Sequence, residues 1–179
     1  MPLTVAEQDL GPLKALAGVS LPGRVTAGGT GFDEAILFTH RGLSGPAVLQ
    51  ASSYWREGMP VRLDLAPGRD VAALLRSARA ATARAAPRTA LAQIIPERLA
   101  RHLEARAGLD GPLAAQSNAA LDRLAALVRG WEMRPVGTEG YRTAEVTLGG
   151  VDTDGQSSAT MMSKRVPGLY FIGEVVDVT

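Results

Sequence analysis

Hydrophobic and polar positions follow two different periods along this chain. The first sixty-odd residues contain short apolar segments separated by glycine- and proline-rich turns, a pattern typical of β-strands. The clearest of these segments is Val61–Leu65, in which apolar and polar residues strictly alternate. Further strands are predicted at Leu3–Val5, Arg24–Ala27 and Ala35–Thr39, and Ala35–Thr39 is apolar enough to be buried on both faces.

From Asp70 to Gly130 the apolar period becomes helical. Four apolar stripes at helical spacing predict four short helices, with Ser117 capping the last of them and Gly108 ending the third. Because strand-type sequence lies on both sides, we expect the helices to be an insertion into the β part. The stripes comprise Val71, Leu74, Leu75 and Ala78; Leu91, Ile94 and Ile95; Leu99 and Leu103; and Leu121, Leu124 and Val128.

The last third of the chain returns to strand-type sequence. Apolar and polar residues alternate over Thr143–Leu148, and Asp154-Gly155 predicts a hairpin-type turn. Leu169–Ile172 is a continuous apolar run between two glycines, which is typical of a strand buried on both faces of a parallel sheet. Nothing else in the chain predicts such a sheet. We therefore expect the chain to be an internal piece of a larger protein.

Composition and charge exclude several classes of function. The net charge is +1 with basic and acidic residues interspersed, which predicts neither a nucleic-acid partner nor an anionic membrane partner. There is no cysteine, so disulfides, thiolate zinc sites and a cysteine nucleophile are excluded, and two histidines favour no other metal site. No apolar run has the length of a membrane-spanning helix. These features suggest a cytoplasmic protein.

Two motifs have alternative interpretations. Gly42-x-Ser44-x-Pro46 resembles the nucleophile elbow of hydrolases, but proline replaces the final glycine. A cap of the following helix is thus favoured for Ser44 over a nucleophile paired with His40. Glu174 follows directly after the buried run, where α/β folds place ligand contacts. Its carboxylate can accept hydrogen bonds from ribose or ribityl hydroxyls, or it can be an exposed residue of a terminal loop.

Three blocks of sequence, taken together, resemble one protein family. They occur in the family's order and spacing, and the resemblance extends over essentially the whole chain. The family is that of the BaiN/YhiN-type FAD-dependent flavoproteins, which includes aminoacetone oxidase-like and NAD(P)/FAD-dependent oxidoreductases. The blocks are Leu37–Gln50, then Gly137–Tyr141 with Ala144–Thr153, and finally Thr160–Lys164 with Val166–Val178.

The resemblance implies an α+β fold in three parts. Residues 1–66 and 134–149 would form a small β-barrel similar to those of translation factors. Residues 67–133 would form a helical subdomain inserted into that barrel, and residues 150–179 would re-enter an FAD-binding Rossmann-like domain. The glycine-rich pyrophosphate loop of that domain has no counterpart in this sequence. We therefore expect this piece alone neither to bind FAD nor to turn over substrate.

The resemblance also implies a function and partners. The parent would transfer a hydride between FAD and a small organic substrate or NAD(P)H, and this chain would form the substrate side of the cleft. Its partners would be the FAD-binding domain of the same parent and a small molecule, with self-association through residues 169–172 as a further expectation. A non-enzymatic barrel that binds a protein partner is the alternative.

The resemblance assigns residues to both sides of the cleft. The substrate-side candidates are Thr39, His40 and Ser44, for which no individual role is implied. The residues expected to contact FAD are Gly149, Gly150, Gly173, Glu174 and Asp177.

Overall fold

The computed structural model describes residues 1–140 and 148–177. The chain divides into two compact units, residues 1–139 and residues 140–179. Except for Leu148, the alternating segment predicted at Thr143–Leu148 lies outside the described residues.

Seven antiparallel strands form one sheet in the first unit, in the order β6-β5-β2-β3-β4-β1-β7. Side chains of β2 alternate between exposed and buried, as the period of two requires for a sheet with one face on the core. The strands are β1 (Leu3–Val5), β2 (Ser20–Ala27), β3 (Thr30–Phe38), β4 (Gly42–Ser44), β5 (Val61–Asp64), β6 (Trp131–Met133) and β7 (Pro135–Thr138).

The described strands do not close into a barrel, so the predicted small β-barrel is present in this part of the chain only as an open sheet. Strands β6 and β7 are the two edges of the sheet and are not hydrogen-bonded to each other. The sheet nevertheless curls strongly. The rings of Phe38 on β3 and Trp131 on β6 lie 5.8 Å apart, although three strand spacings in a flat sheet would separate them by about 14 Å.

The helical period predicted from Asp70 to Gly130 is confirmed, whereas Trp131–Met133, placed in the predicted 67–133 insert, forms a strand. The segment between the flanking strands β5 and β6 is called the helical segment, residues 67–130. It contains four α-helices and a short 3-10 turn at Leu113–Ala115, and no strand. Since β5 and β6 pair directly, with Leu63 opposite Trp131, the whole segment is an excursion between two neighbouring strands. The helices of the first unit are α1 (Glu7–Lys14), α2 (Pro46–Ala51), α3 (Val71–Ala81), α4 (Pro87–Leu91), α5 (Glu97–Arg106) and α6 (Asn118–Arg129).

Local capping groups mark three helix ends in the helical segment: the starts of α3 and α6 and the end of α5. The Asp70 side chain accepts a hydrogen bond from the N–H of Ala73 at the start of α3. The Ser117 hydroxyl accepts one from Ala120 at the start of α6, as predicted. Gly108 follows the last turn of α5 with a φ of 69°, the left-handed conformation that ends many helices.

Two local predictions in the first unit are wrong. Ala35–Thr39 was expected to be buried on both faces, but Ile36 and Phe38 are buried while their neighbours are half-buried. Ser44 does not cap α2: it lies in β4 opposite Leu37, and Gly45 occupies the cap position. Gly45 has a φ of 94° there, and an added Cβ would lie 2.6 Å from the carbonyl oxygen of Ala35.

The second unit consists of short bridged segments. Gln156 pairs with Ser163, and Met162 pairs with Tyr170, in antiparallel bridges. The predicted turn at Asp154-Gly155 forms a 3-10 turn, Thr153–Gly155, whose start is capped by the Asp152 side chain.

Candidate functional site

The three substrate-side candidates lie in and beside the turn that connects β3 to β4. The Thr39 hydroxyl accepts hydrogen bonds from the N–H groups of Arg41, at 3.2 Å, and Gly42, at 3.0 Å. His40 is exposed at the tip of the turn, and Ser44 is half-buried in β4. The Thr39 side chain therefore holds the turn together, whereas the His40 ring remains accessible to a ligand.

The five predicted cofactor-side residues lie on two neighbouring backbone segments of the second unit. The N–H of Val151 donates to the carbonyl of Val175 at 2.7 Å, and the N–H of Asp177 donates to the carbonyl of Val151 at 3.0 Å. These bonds bring Gly149 and Gly150 beside the 3-10 turn formed by Gly173–Val175. Gly150 permits this approach, because an added Cβ would lie 2.5 Å from the Val175 carbonyl oxygen.

The surroundings of these segments suit a hydroxyl-bearing group. Gly149 and Gly173 both have positive φ, and, apart from their chain neighbours, no described residue lies within 4 Å of the position that a Cβ would take on either. Glu174 is exposed next to Gly173. Its carboxylate lies on the surface and can accept hydrogen bonds from hydroxyl groups, such as those of a ribityl or ribose chain.

The terminal apolar run is exposed in the second unit. Tyr170 is 57% and Ile172 is 75% exposed, and Leu169 is also exposed. Three of the four side chains that the sequence pattern assigns to a buried strand are therefore exposed, and Phe171 is half-buried.

The helical segment carries most of the positive charge of the chain. Residues 67–130 contain ten arginines, no lysine and five acidic residues, a formal net charge of +5. Since the whole chain has a net charge of +1, the remaining residues carry −4. The chain is therefore nearly neutral as a whole, although its helical segment is basic and the rest of it is acidic.

Six of these ten arginines form no ion pair with a described residue. Four are paired with carboxylates: Arg76 with Asp122, Arg88 with Glu104, Arg101 with Glu97 and Arg129 with Asp64. The six others retain a guanidinium charge that no neighbouring carboxylate neutralises. They are Arg69, Arg79, Arg84, Arg98, Arg106 and Arg123.

A cavity of about 270 Å³ lies between α1, α5 and β6. Its wall includes His102, whose ring lies 5.3 Å from that of Trp131, and Arg106, whose guanidinium lies 5.4 Å from the Trp131 ring centroid. The His102 Nε2 atom is buried and has no hydrogen-bond partner in the described part of the protein. Burial, and secondarily the charge of Arg106, lower the pKa of His102. Its imidazole is therefore neutral at pH 7.

Neither a membrane-spanning helix nor a metal site is found among the described residues. Among the helices of the described residues, none has the length and apolar character that crossing a membrane requires. Within residues 1–140 and 148–177, no group of three or more His, Asp or Glu side chains is arranged to hold a metal ion.

Comparison with known proteins identifies a family and two relatives. Residues 1–146 match the family described as HI0933-like protein barrel and H2TH domain. The chain is 48% identical over its full length to the ribosomal RNA dihydrouridine synthase of Escherichia coli K12. It is 45% identical, also over its full length, to the protein of the same name from Haemophilus influenzae Rd. The chain spans 45% of the length of each of these relatives.

These comparisons correct three expectations. The relatives' names specify ribosomal RNA, which contradicts the expectation that the protein has no nucleic-acid partner. They likewise contradict hydride exchange with a small organic substrate or NAD(P)H, and with it the description of the chain as the substrate-side insert of such an oxidoreductase. The resemblance to a family is confirmed at the level of the HI0933-like barrel and H2TH domain, but the relatives do not carry the BaiN/YhiN name.

Proposed function

This chain belongs to the HI0933-like family, and we propose that it is part of a ribosomal RNA dihydrouridine synthase. The proposal rests on 48% identity over the whole chain to the Escherichia coli protein of that name. Because the chain spans 45% of that relative's length, the activity is proposed for the full-length protein that contains it.

The proposed reaction is a two-electron reduction. Dihydrouridine differs from uridine by two hydrogen atoms, one at C5 and one at C6, so the enzyme must deliver a hydride equivalent and a proton across that double bond. We propose FAD as the bound cofactor, on the basis of the resemblance to FAD-dependent flavoproteins. A flavin supplies the electron pair when it is bound, and the protein binds and orients it.

The second unit would contribute to cofactor binding. Gly149, Gly150 and Gly173 would let the backbone approach the cofactor closely, and Glu174 and Asp177 would accept hydrogen bonds from its hydroxyls. Two features support this assignment: the bonded pair of segments and the open space beside Gly149 and Gly173.

The helical segment would form the RNA-facing surface. Its charge of +5 and its six arginines without carboxylate partners are suited to the phosphate backbone. Arginine presents donors in a planar fork that matches phosphate oxygens. Thr39, His40 and Ser44 would lie on the substrate side, with His40 exposed for contact. A ribosomal RNA substrate also supports a cytoplasmic location.

Deletion of the gene tests the proposed function. Ribosomal RNA from deletion and parent strains would be digested to nucleosides, and dihydrouridine would be quantified by mass spectrometry. We expect the deletion to remove dihydrouridine from ribosomal RNA and the wild-type gene to restore it. Dihydrouridine in transfer RNA from the same cells is the control and should not change. Unchanged dihydrouridine in ribosomal RNA would refute the proposal.

A further inference from the structure

The cavity between α1, α5 and β6 presents recognition chemistry that the proposed reaction does not use. Its volume of about 270 Å³ is slightly below the range of roughly 300–1,000 Å³ found for drug-sized ligands. It therefore suits a small occupant, about the size of one nucleobase with part of its sugar.

The wall of the cavity combines a neutral imidazole with an arginine that has no carboxylate partner. Because burial lowers the pKa of His102, its ring offers one donor and one acceptor. Nucleobase edges present donors and acceptors side by side. Arg106 is exposed and stacks on Trp131 without pairing to a described carboxylate.

The Trp131 ring is the surface against which His102 and Arg106 pack. It is 3% exposed, with Phe38 stacked at 5.8 Å and His102 at 5.3 Å. Because the Phe38 and His102 rings already pack against the Trp131 ring, a ligand in the cavity would contact His102 and Arg106 rather than Trp131. The Nε2 atom of His102 is buried and has no hydrogen-bond partner among the described residues, so a ligand in the cavity would contact the remainder of the ring.

The other charges around the cavity favour a base over a phosphate at its interior. Asp9 and Glu132 also line it, and Arg134 is paired with Glu132 at 3.1 Å. Together with Arg106 and Arg134 these carboxylates balance the charge of the wall, so the interior has no net positive charge to attract a phosphate. Asp9 and Glu132 can accept hydrogen bonds from the N–H groups of a base.

We propose that this cavity binds one unstacked nucleotide of the RNA substrate, other than the uridine that is reduced. His102 and Arg106 would contact its base, and Arg106 would also lie near the adjoining phosphate. Proteins commonly recognise single-stranded RNA in this way, by holding splayed bases against planar side chains and bonding their edges. The inference rests on the proposed function, because it takes ribosomal RNA as the ligand.

Substitutions in the full-length protein test this pocket. His102→Phe keeps a ring against Trp131 but removes both nitrogens, and Arg106→Gln removes the guanidinium. We expect each variant to raise the Kd for protein-free ribosomal RNA about tenfold, as the loss of one charged or well-buried hydrogen bond does. Arg101→Gln is the matched control, since Arg101 lies on the same helix and is paired with Glu97. Its Kd should stay within about twofold of wild type.

The possible results separate the pocket from the proposed function. If His102→Phe and Arg106→Gln each change the Kd by less than about threefold, the pocket proposal is overturned. If His102→Phe fails to fold, as judged by circular dichroism, Arg106→Gln is compared with Arg98→Gln, which removes an arginine without a carboxylate partner from the same helix but outside the cavity wall. Equal losses of affinity in these two variants would then overturn the pocket proposal. Tight binding of free ribonucleoside monophosphates, with RNA affinity unaffected by the substitutions, would also overturn it in favour of a free nucleotide. The proposed function fails separately, if the gene deletion leaves dihydrouridine in ribosomal RNA unchanged.

Discussion

Individual buried leucines account for much of the stability of the helical segment. Leu124 on α6 is fully buried, and Leu121 and Val128 are buried along the same face. A buried leucine contributes both its transfer free energy and its packing contacts, and replacement by alanine leaves a cavity. Leu127 is only partly buried against the same core.

Leu124→Ala should therefore lower the free energy of unfolding by about 2–5 kcal/mol. Leu127→Ala, on the same helix, should cost clearly less because part of its side chain already contacts water. Urea titration followed by circular dichroism measures both values. Equal effects of the two substitutions would contradict the burial described for α6.

The protonation of His102 links stability to pH. Its pKa in the folded chain is lowered by burial and by Arg106, whereas in the unfolded chain it is about 6.5. Between these two values the unfolded state binds a proton that the folded state does not. Stability is thus fully present above about pH 6.5 and falls as the pH drops toward the folded pKa.

We expect the thermal midpoint of unfolding to decrease when the pH is lowered from about 7.5 to about 5.5. The decrease should be smaller in the His102→Phe variant. Calorimetry at both pH values gives the comparison. His40→Phe is the control, because His40 is exposed. If His102→Phe leaves the pH dependence unchanged, His102 is not the group responsible.

Among the secondary-structure elements, α4 and α5 are tied together by one buried carboxylate. Glu104 on α5 is 5% exposed and accepts hydrogen bonds from the backbone N–H of Arg88, at 2.9 Å, and from its Nη1, at 2.7 Å. The bond and charge of Glu104 raise the pKa of Arg88. The five-residue α4 depends on this contact, because so short a helix is not stable alone.

Glu104→Gln should lower the thermal midpoint, since it removes the charge from two charge-assisted hydrogen bonds. Glu97→Gln is the matched control, because Glu97 lies on the same helix and forms an exposed ion pair with Arg101. Exposed pairs contribute little, so its midpoint should barely change. Comparable midpoints for the two variants would show that the Glu104 contact does not stabilise the fold.

Prediction from sequence succeeded for elements whose signals are local. Helical spacing and the Ser117 cap identified the helical segment, because both act within a few residues. Ser44 failed as a cap because β4 pairs with β1 and β3, and strand partners distant in sequence decide its conformation. For the same reason, the sequence pattern does not reveal that the seven described strands leave the sheet open, nor that α5 and β6 bring His102 beside Trp131.

For the molecule as a whole, the small net charge concealed a basic segment, on which the proposed RNA contact rests. A net charge of +1 predicts no nucleic-acid partner, yet residues 67–130 carry +5. Counting charge separately for each predicted segment would have exposed the asymmetry from sequence alone. Which arginines are neutralised by carboxylates is a property of the fold, and only the described side-chain contacts give it.

The salt dependence of ribosomal RNA binding by the full-length protein tests most directly whether this chain faces RNA. Each lost phosphate contact reduces the slope of log Kd against log salt concentration by about one. Arg84→Gln with Arg123→Gln removes two arginines without carboxylate partners, whereas Arg76→Gln with Arg101→Gln removes two paired ones for the same change in net charge. We predict a slope lower by about two for the first pair of substitutions and an unchanged slope for the second. Equal slopes in both variants and the wild type would contradict an RNA-facing helical segment.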